Sequence, residues 1–206
     1  MNLQTFLASD DVIDWKEPSV FEKAAALASS RDLYNEEDLI RSTFEWVRDK
    51  IPHSLDHHLN PVTCSASEVL RGKTGICFAK AHLLAALLRA NGIPAGLCYQ
   101  RMSVERQGKR FYLHGLCAVY LPKIGWYRLD PRGQKQGVDA RCTPPVECMA
   151  YVPQDNGERD YKGVFAKPLP PVMDLLRHCE TWNDILVKIP DLGDGDLPQT
   201  GESREF

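Results

Sequence analysis

Apolar residues recur at helical spacing through the first quarter of the chain and give way to strand-like runs near residue 95. Pro18-Ser19-Val20-Phe21-Glu22 reads as a capping-box start for a short helix through about Ser29. Asn35-Glu36-Glu37-Asp38 opens a second, with Leu39, Ile40, Phe44, Val47 and Ile51 on one face. Pro52 and the polar run from His53 to Pro61 end it and predict a loop. Ser65-Ala66-Ser67-Glu68 is another capping box, for a helix that stops at Gly72. The apolar run Leu83 to Leu88 predicts a central helix from Cys77 to about Asn91-Gly92. There Gly supplies a left-handed cap and Pro94 prevents continuation.

From Ala95 the pattern turns β. Leu97 to Met102, Phe111 to Leu121 and Trp126 to Leu129 predict three antiparallel strands, the first two joined through a polar Gln107-Gly108-Lys109 turn. Residues 133–157 are poorly periodic, with one strand expected near Cys148 to Val152. Two short helices, Val172 to His178 and Trp182 to Lys188, follow Pro168 to Pro171, the second capped at Thr181-Trp182-Asn183-Asp184. The fold class expected is α+β, a central helix packed on an antiparallel sheet. A single domain is expected over residues 1–189, with residues 190–206 as a flexible acidic tail.

Composition narrows the possibilities. A chain of 206 residues that is 43% hydrophobic can bury one ordinary core, and two full domains would be cramped. A net charge of −3, from 25 basic and 28 acidic residues, supplies no broad field for nucleic acid or an anionic membrane. No run approaches the roughly 18 uncharged apolar residues of a membrane span, and Met1-Asn2-Leu3-Gln4-Thr5 does not start a secretory leader, so a cytoplasmic location is expected. Seven irregularly spaced cysteines with no CxxC fit reduced thiols, most of them small buried hydrophobes, better than a disulfide framework.

The candidate chemistry starts at Gly75-Ile76-Cys77. A cysteine at a helix N-terminus meets unpaired N–H groups and partial positive charge, which bias it toward the nucleophilic thiolate. His114 lies in the second predicted strand and Asp130 at the end of the third. Neighbouring strands are about 4.8 Å apart, so the three side chains can meet at the helix start. Cys77 is then the nucleophile, His114 its base and later acid, and Asp130 the carboxylate that orients the imidazole. The Cys77 main-chain N–H is the natural first donor to an oxyanion. His57, His58, Cys64 and Cys77 match no structural zinc spacing, and Asp191 to Asp196 lacks the glycine and glutamate of a calcium loop. Neither a metal nor a cofactor is expected.

Gly75-Ile76-Cys77 with Ala81, the helix ending Leu88-Arg89-Ala90-Asn91-Gly92-Ile93-Pro94, then His114, then Gly125-Trp126-Tyr127-Arg128-Leu129-Asp130-Pro131 resemble the transglutaminase-like superfamily, over roughly residues 39–132. The resemblance implies a papain-like core and assigns Cys77, His114 and Asp130 the same three roles. It places His53 and Asp56 where site-lining residues fall. His53 and Trp126 are the candidate substrate-binding residues, Trp126 and Trp46 both being candidates for core or pocket wall. One departure is that Gly115-Leu116 follow the histidine, where the family often has an aromatic residue, as in His-Ala-Trp. The function expected is thiol-dependent acyl transfer on a peptide or carboxamide bond through a thioester, most readily ending in hydrolysis as in a cysteine protease or amidase. The partner expected is a peptide or protein substrate. The alternatives are a protein-crosslinking transglutaminase and a peptide-binding module that keeps the fold.

Overall fold

The computed structural model describes residues 2–29, 35–105 and 108–193. A short 3-10 turn, Leu3–Leu7, leads into α1 (Pro18–Ala28), α2 (Glu36–Lys50), α3 (Ser54–His57), α4 (Ala66–Gly72) and α5 (Cys77–Ala90). Strands β1 (Ala95–Ser103), β2 (Phe111–Leu121) and β3 (Gly125–Leu129) follow. A hairpin of β4 (Arg141–Thr143) and β5 (Val146–Cys148), the two-residue β6 (Arg159–Asp160), α6 (Pro170–His178) and α7 (Trp182–Lys188) complete the elements of the described residues. The main sheet has the order β3-β2-β1-β6, all antiparallel, and its first three strands are those expected from the sequence.

Helix α5 is the centre of the molecule. Every residue from Cys77 to Arg89 is buried, because α1, α2 and α4 cover one side and β1 and β2 the other. A largely apolar circumference suits a helix with no solvent face, and its polar Lys80, His82 and Arg89 each bond a main-chain carbonyl. Strand alternation then sorts the sheet residues. Leu97, Tyr99, Leu113, Cys117 and Val119 join the main core with α5. Cys98, Leu116 and Ala118 join a smaller cluster with Phe6 and Val164 on the opposite side.

The Leu-Arg-Ala-Asn-Gly-Ile-Pro segment ends α5 for identifiable reasons. Gly92 takes φ +76, where a Cβ would be strained. The buried Arg89 guanidinium donates to the carbonyls of Ala95, Ala8 and Ala166 at 2.7 to 2.9 Å, stapling three separate segments to the helix end. Ser65 and Glu68 make both bonds of the expected capping box at α4, and Thr181 and Asp184 do so at α7.

Three local expectations are corrected. Helix α1 has no capping box: it begins at Pro18, whose fixed φ suits the first helical position, and Glu17 as the cap makes no side-chain bond while its carbonyl accepts from Val20 N at 3.0 Å. The expected loop after Pro52 contains the helical turn α3, held by His53 and Gly75 main-chain contacts. The strand expected near Cys148 to Val152 is the β4–β5 hairpin, which ends at Cys148. Of the expected acidic tail, Pro190 accepts from Leu113 N at 2.7 Å and Asp191 holds Arg101 in a two-bond pair, while residues 194–206 lie outside the described residues, as does Gln107 of the expected turn. All seven cysteines are free, and six are buried.

Candidate active site

Cys77 is the first residue of α5, and Ile76 before it offers no side-chain cap. The preceding segment is fixed by a parallel bridge between His53 and Gly75, with Ser54 N donating to Gly75 O and Gly75 N to Pro52 O. A Cβ at Gly75 would lie 3.1 Å from the Ala79 Cβ and 3.3 Å from Thr63 Oγ1, so only glycine passes between them without displacement. That constraint sets where the helix starts and therefore where the sulfur sits. The Cys77 main-chain N–H donates to His53 Nε2 at 3.1 Å. The amide expected to meet an oxyanion thus has an imidazole acceptor in this structure. Cys77 itself is 5% exposed.

His114, on β2, and Asp130, the residue after β3, are both fully enclosed. Their contact is His114 Nε2 to Asp130 Oδ2 at 2.9 Å. The carboxylate is held by two further donors, Arg132 N on Oδ1 and Ala150 N on Oδ2, both at 3.1 Å. With Nε2 committed to Asp130, Nδ1 is the ring nitrogen left for another partner. Burial alone would lower the His114 pKa, but the charges of Asp130 and Cys77 and the bonds to both outweigh it and raise the imidazole to about 10.

The residue after the histidine is glycine for a steric reason. A Cβ on Gly115 would stand 2.4 Å from Phe78 Cδ1, and Phe78 follows the cysteine on α5. Phe78 of the helix fills the space a side chain at 115 would take, while Leu116, at the place of the aromatic in His-Ala-Trp, packs on the opposite face in the smaller cluster with Phe6.

A second set of polar groups approaches Cys77 from the other side. Arg132 makes two bonds to Asp56, at 2.5 and 2.8 Å, and Asp56 Oδ2 lies 3.7 Å from His53 Nδ1, too far for a hydrogen bond. Among the described residues that buried Nδ1 has no hydrogen-bond partner. Burial and the nearby Arg132 charge hold the His53 pKa well below 6.5, so the ring is a neutral acceptor for Cys77 N. Burial would raise the Asp56 pKa, but the Arg132 pair overrides it and brings the carboxyl down to about 2. Arg132 also lies 5.6 Å over the Tyr151 ring, which meets His114 edge-on at 5.0 Å.

Beneath these groups, Lys80 is wholly buried one turn along α5. Its Nζ donates to Arg48 O at 3.0 Å and also to Ile51 O, closing the C-terminal end of α2 against the helix that bears Cys77. Burial, reinforced by Arg132, pushes the ammonium pKa down to about 7. Among the described residues no group of three His, Cys, Asp or Glu side chains is placed to hold a metal ion.

The structure therefore brings together Cys77, His114, Asp130, His53 and Asp56. It does not bring Trp126 to them. Trp126 packs edge-on against Phe6 and Tyr120, in the smaller cluster. Tyr120 is six residues along β2 from His114, or about 20 Å at strand rise. Trp46 is partly buried against the main core, as a core or wall residue. Arg132 and Tyr151 were missed. The position of Arg132 just after Asp130-Pro131 was the available signal, whereas nothing in the irregular run around Tyr151 marks it.

The chain matches the profile of the transglutaminase-like superfamily core over residues 23–131. A search of curated protein sequences finds no match. Among solved structures, it is similar to a Cytophaga hutchinsonii protein provisionally described as a cysteine protease, at 18% identity and a TM-score of 0.48, covering 64% of this chain and 42% of that one. It is also similar to the periplasmic domain of TgpA from Pseudomonas aeruginosa. The ethylmercury-bound form gives 20% identity and a TM-score of 0.45, covering 61% of this chain and 46% of the other, and a second structure of that domain gives 18% and 0.47, covering 64% and 48%. The chain thus spans less than half the length of these structures. Among the described residues no helix is long and apolar enough to cross a membrane. With the superfamily match extending over the segment that holds α5 and the first three strands, the chain belongs to the transglutaminase-like superfamily.

Proposed function

We propose that the protein is a thiol-dependent acyl-transfer enzyme acting on peptide or carboxamide bonds, with Cys77 as nucleophile. The observation that carries this reading is the buried 2.9 Å contact of His114 Nε2 with Asp130 Oδ2, with Cys77 among the groups that raise the imidazole pKa. In the proposed cycle, the Cys77 proton resides on His114 as the sulfur attacks the carbonyl carbon. Collapse of the tetrahedral adduct forms the thioester, and His114 gives its proton to the departing amine. Water then attacks the thioester with His114 as base, and the thiol is restored as the acid leaves. Asp130 keeps the ring oriented and stabilises the imidazolium, and it is itself fixed by Arg132 N and Ala150 N.

A substrate carbonyl oxygen can use the Cys77 N–H only by displacing His53 Nε2. His53 and the Asp56–Arg132 pair are therefore proposed to line the substrate's approach, with Tyr151 beside the imidazole. Hydrolysis is the outcome favoured here because water is present at about 55 M, and transfer to an amine requires a site that holds the amine and excludes water.

The 5% exposure of Cys77 and its occupied N–H favour one second reading, a peptide-binding module that retains the fold. The test is turnover of a peptide and carboxamide library by the intact protein and by Cys77→Ala. Release of amine or ammonia by the intact chain alone, with a trapped acyl adduct at Cys77 by mass spectrometry, supports the enzyme. Equal turnover by Cys77→Ala sinks it, and binding without turnover by both proteins selects the module.

A further inference from the structure

Away from the Cys77 site, a hollow of about 430 Å³ opens where α1, α2 and α4 meet. Its wall carries Lys23 from α1, Lys50 at the end of α2, and Arg71 and Lys73 at the end of α4, with no acidic residue among the lining groups. Trp46 and Leu70 add an apolar surface, and the Lys23 ammonium sits 4.7 Å over the Trp46 ring. None of these four cations forms an ion pair among the described residues.

Cations near helix C-termini are ordinarily explained by the helix dipole, and that accounts for Lys50 and Arg71 taken singly. It does not account for Lys23, in the middle of α1, nor for the convergence of all four on one concavity. Like charges gathered around a low-dielectric surface repel one another and raise the local potential for an anion. In a chain of net charge −3 the accumulation is local, not a consequence of composition. The volume lies within the roughly 300 to 1,000 Å³ of small-molecule sites, and the mixture of an aromatic wall with a few convergent charges is their usual chemistry.

We propose that this hollow binds a small amphipathic polyanion, a molecule with two or more negative charges of phosphate or carboxylate type on a ring-bearing body that packs on Trp46 and Leu70. The hollow also adjoins the segments that carry the other site. Lys50 and Lys73 lie three and four residues before His53 and Cys77, and the two segments are tied by the Thr74 Oγ1 bond to Pro52 O at 3.1 Å. The proposal stands independently of the acyl-transfer reading, since it concerns binding alone.

The test is calorimetric titration of the full chain with two probes, phenyl phosphate and inorganic pyrophosphate, in the wild type and in Lys50→Ala/Arg71→Ala. Both replaced side chains are exposed, and an unchanged melting temperature confirms that the variant is folded. Expected is saturable phenyl phosphate binding tighter than about 1 mM, stronger than that of pyrophosphate, weakened at least about tenfold in the double variant and weakened by added salt. No saturable binding of either probe, or binding unchanged in the variant, overturns the proposal. Pyrophosphate binding as tight as that of phenyl phosphate overturns the ring-bearing part. A polyglutamate peptide that binds while both small probes fail shows an acidic protein segment to be the ligand instead, and likewise overturns it.

Discussion

His53 Nε2 accepts the main-chain N–H of Cys77 at 3.1 Å, so the first amide of α5 is capped by a side chain 24 residues upstream. Removing that acceptor leaves a buried donor unsatisfied, at a cost of about 1–3 kcal/mol. His53→Leu is therefore expected to be destabilised by about that amount, and His53→Gln, which keeps an acceptor, by less. The same ring predicts a pH effect. Its folded pKa lies well below the unfolded value of 6.5, so stability is fully present above 6.5 and is lost as pH falls toward the folded pKa. Denaturant unfolding at pH 7 and pH 5 should show a smaller acid loss in His53→Gln than in the wild type; equal losses would contradict the assignment of a neutral, buried ring.

The His114–Asp130 pair has the opposite sign. With His114 raised from 6.5 to about 10, its stabilisation is complete below pH 6.5 and is lost as pH rises through 10. Asp130→Asn leaves the imidazole without its counter-charge, and breaking a buried pair on one side costs about 3–5 kcal/mol. The stability difference between wild type and variant should be largest near pH 6 and shrink toward pH 10.5. A difference independent of pH would mean that Asp130 acts only through its bonds to Arg132 N and Ala150 N.

Lys80 counters this in the wild type. Its pKa falls from 10.5 to about 7, so its full contribution is present above 10.5 and is lost as pH drops to 7. The Lys80 and His114 effects oppose each other across the same window, and the wild-type profile there should be nearly flat. In Lys80→Met the His114 effect is left alone, and the advantage of wild type over variant should grow between pH 7 and 10. A constant offset would indicate that the lost bonds to Arg48 O and Ile51 O are the whole effect.

Gly115→Ala tests the contact that sets the helix against the strand. The added Cβ would sit 2.4 Å from Phe78, and overpacking of this kind costs about 1–3 kcal/mol. Phe78 adjoins Cys77, so the variant should lose thiol reactivity along with stability. Pairing it with Phe78→Leu should recover part of both, as thermal melts and alkylation rates would show; an unperturbed single variant would deny the close approach.

Features written in adjacent residues were legible in the sequence. The Ser65 and Thr181 capping boxes, the span of α5 and the order of β1 to β3 all follow from neighbouring residue types. Cys77, His114 and Asp130 could be chosen because each sits at a recognisable point on a predicted element. What could not be read depends on tertiary approach. Nothing local pairs Arg132 with Asp56, 76 residues away, or turns the ring of Tyr151 toward His114. Nor does anything local show that Trp126, a candidate for either core or pocket wall, packs on Phe6 from near the start of the chain.

The proposed activation of Cys77 by His114 is tested by the rate of iodoacetamide labelling at each cysteine across pH 4 to 10, by peptide mapping, in the intact protein and in His114→Ala. The expected result is that Cys77 labels faster than the other six below about pH 7 and that this advantage disappears in the variant. A Cys77 that remains inert, or labels with a midpoint near the free-thiol value of about 8.5 whether or not His114 is present, would contradict it.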